Sequence, residues 1–226
     1  MARQPRAVFA GLPHLVALRV QHQQSLAVDD EDRSNALSRL GAAMQAQAVS
    51  LHAYGLRQDL VELVVTPNSS DSLSRAMQDF AKRHAAAFNR RHGRHGGLWA
   101  GRFAVTALEA DPWLLRAMVR VEQPLADTLR PWSSAAHHAG LRADPLISEP
   151  AAYWGLGNTP FEREAAYRQL LLERTPAEWT LGLDAALRGG RPLGSEAFLR
   201  FLAAQAQRSF ARAPRGRPAK STSVRE

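Results

Sequence analysis

YGLRQDLVELVVTP, residues 54–67, decides how the rest of the chain is read. It holds two short apolar strands separated by the polar break Arg57-Gln58-Asp59. The second half, Leu60 to Val65, has the apolar, branched composition of a strand inside a sheet. Glu62 stands in the middle of that run. A carboxylate there needs a partner or a job, because a buried charge is costly when left alone.

Working outward, the periodicity of the flanking segments gives an order of elements. Residues 13–20, PHLVALRV, read as a strand. From Asp30 to about Gln47 the apolar residues Leu37, Leu40 and Met44 recur at helical spacing. The acidic run DDEDR at 29–33 suits the positive end of that helix. Residues 49–57 and 60–66 are two strands rich in Val and Leu. NSSDS at 68–72 supplies a loop and a helix cap. Leu73, Met77, Phe80, His84 and Phe88 mark one face of the next helix, which ends near Gly93. His84, on that apolar stripe, reads as a packed histidine. Residues 98–109 suggest a further strand, and Asp111-Pro112 opens a helix running to about Glu122 with Pro in its first turn.

The order β-α-β-β-α-β-α matches, in its first six elements, the ferredoxin-like split βαβ pattern of an α+β fold. Residues 10–130 are expected to form that domain and 131–205 a helical extension broken by Pro and Gly. The last stretch, 206–226, is expected to be a basic tail that is disordered on its own.

Composition narrows the function. The chain has 226 residues, 45% hydrophobic, with no cysteine. No stretch approaches eighteen consecutive apolar residues, so no membrane span is expected, and no secretory leader is read at the N-terminus. The expected location is the cytoplasm. The formal net charge of +8 favours an anionic partner, nucleic acid above all. Between Arg75 and Arg102 stand Arg75, Lys82, Arg83, Arg90, Arg91, Arg94 and Arg102, against one acid, Asp79. These are the candidate DNA contacts, and a solvated helix face is the competing account. In the tail, Arg215-Gly216-Arg217-Pro218 resembles the core of an AT-hook, whose arginines enter narrow A·T-rich minor grooves.

Other chemistries find no support. No Gly-x-Ser-x-Gly elbow, P-loop or His-Glu-x-x-His helix occurs. His137 and His138 are adjacent and point apart on a helix, so they are not expected to share a metal. Trp132 and Trp154 read as core, and Ser133 and Ser134 as a helix start.

An ordered set of segments carries a resemblance: DDEDR, LHAYGL, LVVTP, LSRAMQDFAKRHAAAFNRRHGRHGGLWAGRF, PWSS, DPLIS, AAYRQLL, LGSEAF and RGRP. Across roughly residues 10–220 the chain resembles the REP-associated tyrosine transposases, a branch of the single-tyrosine HUH transposases of bacteria. FNRRHGRHGGLWAGRF is the most specific of these segments. The resemblance implies the same ferredoxin-like fold and DNA as the partner, with hairpin or A·T-rich DNA as the candidates.

The family's catalytic groups are not matched. The resemblance puts a His-hydrophobic-His pair, which binds a divalent cation, on the strand at 60–66; here those positions are Leu60 and Glu62. The family's tyrosine nucleophile falls at Arg120. Glu122 fits the family pattern, while Pro124 replaces an Asn. The expected function is therefore a transposase-family DNA-binding protein without strand cleavage or transfer, and without the family's divalent cation as a cofactor. An active transposase with a non-standard site and a decaying remnant without a selected role are the alternatives. Oligomeric state is open. By the resemblance, Glu62 and Arg120 should face each other across the old active site as a partly buried ion pair, with Leu60 packed beside it. Two unrelated surface charges are the other outcome.

Overall fold

A computed structural model describes residues 6–21, 24–125, 132–173 and 175–210. Arg215 and Arg217, with the AT-hook-like segment, lie outside the described residues. Four strands, β1 (His14–Arg19), β2 (Val49–Leu56), β3 (Leu60–Pro67) and β4 (Ala104–Ala107), form one antiparallel sheet in the order β2-β3-β1-β4. Two helices, α1 (Asp30–Ala46) and α2 (Ser72–Arg91), make the ferredoxin-like crossovers. A third, α3 (Ala110–Glu122), follows β4 and leads through a 3-10 turn, Gln123–Leu125, toward the C-terminal helices. These are α4 (Ala135–His138), α5 (Ala151–Trp154), α6 (Pro160–Leu172), α7 (Ala177–Gly189) and α8 (Glu196–Ala206).

The unbroken apolar run of β3 follows from burial on both faces of the sheet. Side chains alternate along a strand. Val61, Leu63 and Val65 enter one core with Leu40 and Met44 of α1 and Leu73, Met77 and Phe80 of α2. Leu60 and Val64 enter a second core with Leu114 and Met118 of α3, Tyr167 of α6 and Leu183 of α7. Each such side chain, fully buried, contributes roughly 1.5–3 kcal/mol. The C-terminal helices thus supply the layer that a four-stranded sheet with helices on one face would lack.

DDEDR caps α1 as its charge suggests: the Asp29 side chain accepts from the Asp32 amide at 2.9 Å. The cap of α2 differs from the expectation. Asp71 makes no side-chain bond to the helix amides. Its carboxylate instead accepts from Ser69 Oγ and from the Arg75 guanidinium. His84 is packed, as read: it is buried between Phe80 and Phe88 and bonded to the Leu26 carbonyl at 2.9 Å.

The strand expected at 98–109 is shorter. Only Ala104–Ala107 pair regularly with β1. Trp99 makes an isolated bridge to Val20. Gly101, at φ 151°, breaks the strand between them, a backbone angle that favours glycine. The break puts Arg102 at a cleft beside the sheet.

Candidate nucleic-acid interface

Glu62 projects from β3 into the second core layer and is 2% exposed. Its cross-strand neighbours are Ala17 on β1 and Gly55 on β2. Both are small, so space remains above the sheet for long side chains from elsewhere. Two arginines fill it. Arg57, at the tight turn between β2 and β3, bonds one carboxylate oxygen. Arg120, on α3, bonds the other. The second Nη of Arg120 bonds Asp184 of α7. Glu62 and Arg120 therefore meet as a buried pair inside a neutral quartet of two acids and two arginines. Leu60 lies two residues away on the same face, in the second core.

The electrostatics follow from this enclosure. Burial opposes the Arg120 charge, yet the Glu62 and Asp184 carboxylates outweigh it and push its pKa up. A carboxylate this deep is tolerable only when such partners are present.

Above the quartet lies a cleft of about 660 Å³. Arg19, Arg57, Arg102, Arg120 and Arg188 line it, against Glu62 and Asp184. Arg19 is 3.6 Å from Asp59, both well exposed. Arg102 and Arg188 are exposed, and no ion pair engages either among the described residues. Both also border a smaller concavity next to it, which reaches Arg6 and Arg208. The result is a basic groove along the β4–α7 side of the sheet.

The candidate DNA contacts on α2 have other partners. Arg75 pairs with Asp71 and Arg83 with Asp79, one helical turn back. Arg91 is clasped by Asp29, Glu31 and Asp32 at the start of α1. Asp29 and Asp32 hold the Arg91 pKa up, and Arg91 in turn holds the Asp29 carboxyl well below its usual value. Arg94 lies over the Phe88 ring at 5.3 Å. Lys82 and Arg90 are exposed. Among the described residues of the sequence-derived set, Arg102 alone lies on the cleft, across the sheet from α2. Arg19, Arg57 and Arg188 went unnoticed because nothing local marks them. They converge only through packing of α3 and α7.

A buried polar network fixes α3 against the C-terminal helices. Glu122 is fully buried and accepts from Ser134 Oγ, from His138 Nδ1 at 2.8 Å and from the Tyr167 hydroxyl at 2.7 Å. Ser134 thus serves an acid as well as the chain turn before α4. The Tyr153 hydroxyl donates to the His138 carbonyl at 2.9 Å. The Tyr54 hydroxyl donates to Asp144 at 2.6 Å. All three tyrosines of the chain are therefore buried and hydrogen-bonded. Burial pushes the Tyr153 pKa up to about 12, and those of Tyr54 and Tyr167 higher still. None offers an accessible phenolate.

His137 and His138 diverge as expected, with rings 5.2 Å apart at 80° and different partners. Trp132 is in the core, but Trp154 is 54% exposed, contrary to its reading as core. It ends the short helix α5, with the Arg163 guanidinium 4.5 Å from the ring centre.

Leu60 and Glu62 are the strand positions that the resemblance pairs with metal ligands. Leucine has no donor atom, and both Glu62 oxygens are taken by guanidinium groups. Among the described residues no group of three His, Asp or Glu side chains is placed to hold a metal. No described helix is long and apolar enough to cross a membrane.

No protein-family model and no curated protein matches the chain. Among solved structures, a REP-associated tyrosine transposase bound to a REP hairpin matches 67% of this chain and 93% of its own, with TM-score 0.51 and 13% identity. A "putative transposase" from Deinococcus radiodurans R1 matches 46% of this chain and 84% of its own, with TM-score 0.35 and 21% identity. The first of these likenesses is one of fold.

Proposed function

We propose that the protein is a DNA-binding relative of the REP-associated tyrosine transposases that holds DNA phosphates in its arginine-lined cleft and does not cleave the strand. The observation that carries this reading is the quartet at Glu62. By the resemblance, the cleft lies where a transposase would keep its metal and its tyrosine. In this chain those positions hold Leu60, Glu62 and Arg120, and the two charged side chains neutralise each other. Arginine stays protonated and does not act as a nucleophile. The three tyrosines are buried elsewhere.

What remains is a positively lined groove. The quartet is neutral, so the surplus charge comes from Arg102 and Arg188 on the rim, aided by Arg19. Guanidinium groups bind phosphate oxygens through paired hydrogen bonds. Three phosphate contacts would give a log–log salt slope of about −2.7 on duplex DNA by counterion release. Hairpin DNA is the first ligand to try, because the transposase of similar fold was bound to a REP hairpin.

The test combines binding and cleavage. Purified protein is titrated with hairpin, linear duplex and single-stranded DNA at several salt concentrations, then incubated with each in Mn²⁺. Salt-sensitive binding without cleavage is expected. Cleavage of any substrate by the wild-type protein would overturn the non-cleaving reading. Absence of salt-sensitive binding to all three would overturn the DNA-binding one.

A further inference from the structure

We infer that a second cavity, on the other side of the α3–α7 contact, takes an unpaired base of a DNA strand whose phosphates lie in the arginine cleft. This rests on the reading that the cleft binds DNA. The two cavities are neighbours by construction. On α3, Arg120 lines the cleft and Val119 lines the second cavity. On α7, Thr180 lines the cleft and Trp179 the second cavity. Thr175 borders both.

The ridge between them is held firmly. Thr175 Oγ1 donates to Gln123 Oε1 at 2.6 Å. The Gln123 amide then donates to the carbonyls of Leu171 and Glu173, at 3.1 and 2.6 Å. This ties the end of α3 to the loop between α6 and α7, so both cavities share a fixed wall.

Their linings differ in kind. The second cavity, about 760 Å³, has apolar walls from Leu115, Val119, Leu156, Leu170 and the half-buried Trp179. Among the described residues its only cation, Arg116, is already engaged: the guanidinium lies 3.7 Å over the Trp179 ring and 5.1 Å from that of Trp113. That stacking fixes the indole. Two carboxylates, Asp111 and Glu173, stand at the cavity and are exposed. The described lining offers a phosphate no free cation, and its carboxylates accept hydrogen bonds from amino groups. A nucleobase has the complementary character: a flat, uncharged ring that stacks on aromatic side chains, with amino donors at its edge in adenine, cytosine and guanine. Charge thus sorts one nucleotide between the two cavities, phosphate to the arginines and base to the apolar side. A paired base cannot reach such a recess without leaving its stack, so the strand bound here is single-stranded, or unpaired at this point.

The experiment compares two single-stranded oligodeoxynucleotides of equal length and charge, one of adenines and one with abasic residues. Each is titrated by fluorescence anisotropy against the full chain and against Trp179→Ala and Ala152→Trp. The first variant removes the stacking wall. The second fills the cavity from α5. Wild type should bind the adenine strand roughly tenfold more tightly than the abasic one, as expected for one stacked base. Both variants, checked as folded by circular dichroism, should lose most of that ratio while their abasic-strand affinity and salt slope stay unchanged. Equal affinity of the wild type for the two strands overturns the base site and leaves the cleft standing, as does a ratio that survives both variants. Absence of salt-sensitive binding to either strand overturns the cleft reading and this inference with it.

Discussion

Breaking the Glu62–Arg120 pair is the sharpest perturbation of the cleft. Glu62 is 2% exposed and Arg120 13%, so neither end is bathed in water. A surface pair would contribute at most about 1 kcal/mol. Breaking a buried one by removing a single partner costs about 3–5 kcal/mol, because the other charge is left uncompensated. The geometry places this pair between those limits and makes the two ends unequal. Arg120→Met leaves Glu62 bonded to Arg57, which is 34% exposed, and leaves Asp184 near solvent at 30%. A cost of about 2 kcal/mol is expected. Glu62→Gln leaves two guanidinium groups together with only Asp184 to balance Arg120, and about 3 kcal/mol is expected. In the double variant both charges are gone, so the combined cost should fall short of the sum by about 1–2 kcal/mol. Urea unfolding followed by circular dichroism gives each value, provided the denaturant slope is unchanged. Additivity within about 0.5 kcal/mol would refute the coupling.

The rim arginines should matter for DNA and not for stability: Arg102→Gln with Arg188→Gln should weaken hairpin binding and flatten the salt slope by about 1.8, while Arg75→Gln with Arg83→Gln, whose guanidinium groups are already paired on α2, should change it little. A reversed ranking in the salt titration would return the interface to α2. His14 is fully buried, donates from Nδ1 to the Leu12 carbonyl and accepts the Phe9 amide; burial lowers its pKa to about 4 despite the Leu12 bond. The unfolded ring takes up its proton near pH 6.5, so this contribution to stability is complete above that pH and is lost as the pH falls toward 4, by about 3 kcal/mol in all. Stability curves at pH 7 and pH 5 should therefore diverge less in His14→Gln than in wild type, and equal divergence would show that other groups set the acid limit. Tyr167→Phe removes one of three donors to the buried Glu122 and should cost about 1–3 kcal/mol, read as a lower urea midpoint; an unchanged midpoint would mean that the network adds nothing to the C-terminal packing.

The sequence by itself determined the framework. The Val- and Leu-rich runs at 13–20, 49–57 and 60–66, and the helical spacing of apolar residues in 30–47 and 72–92, are local properties, so the strands and crossover helices were legible to within a residue or two. The start of α3 was readable from Pro112, whose ring suits a first helical turn. The failure at 98–103 has a local cause too: the glycine at 101 that breaks the strand is one residue in an otherwise β-like run. Two α2 pairs, Asp71–Arg75 and Asp79–Arg83, were visible in principle, since opposite charges four residues apart share a helix face. Counting charges without that spacing made α2 look freer than it is. Arg91 was different, because its acids lie some sixty residues earlier and only the packing of α1 on α2 brings them together. The Glu62–Arg120 pair was expected from the resemblance and is present. The tertiary structure alone decided the rest of the quartet: Arg57 joins Glu62 across a hairpin, and Asp184 arrives from a helix 122 residues further on. Glu122 finds Ser134, His138 and Tyr167 in the same way. Such groups have no sequence signature, because what joins them is the burial of a second apolar face of the sheet. Once α3 and the C-terminal helices cover that face, every charge on it must find a partner within reach, and the arginines left over at its rim become the cleft.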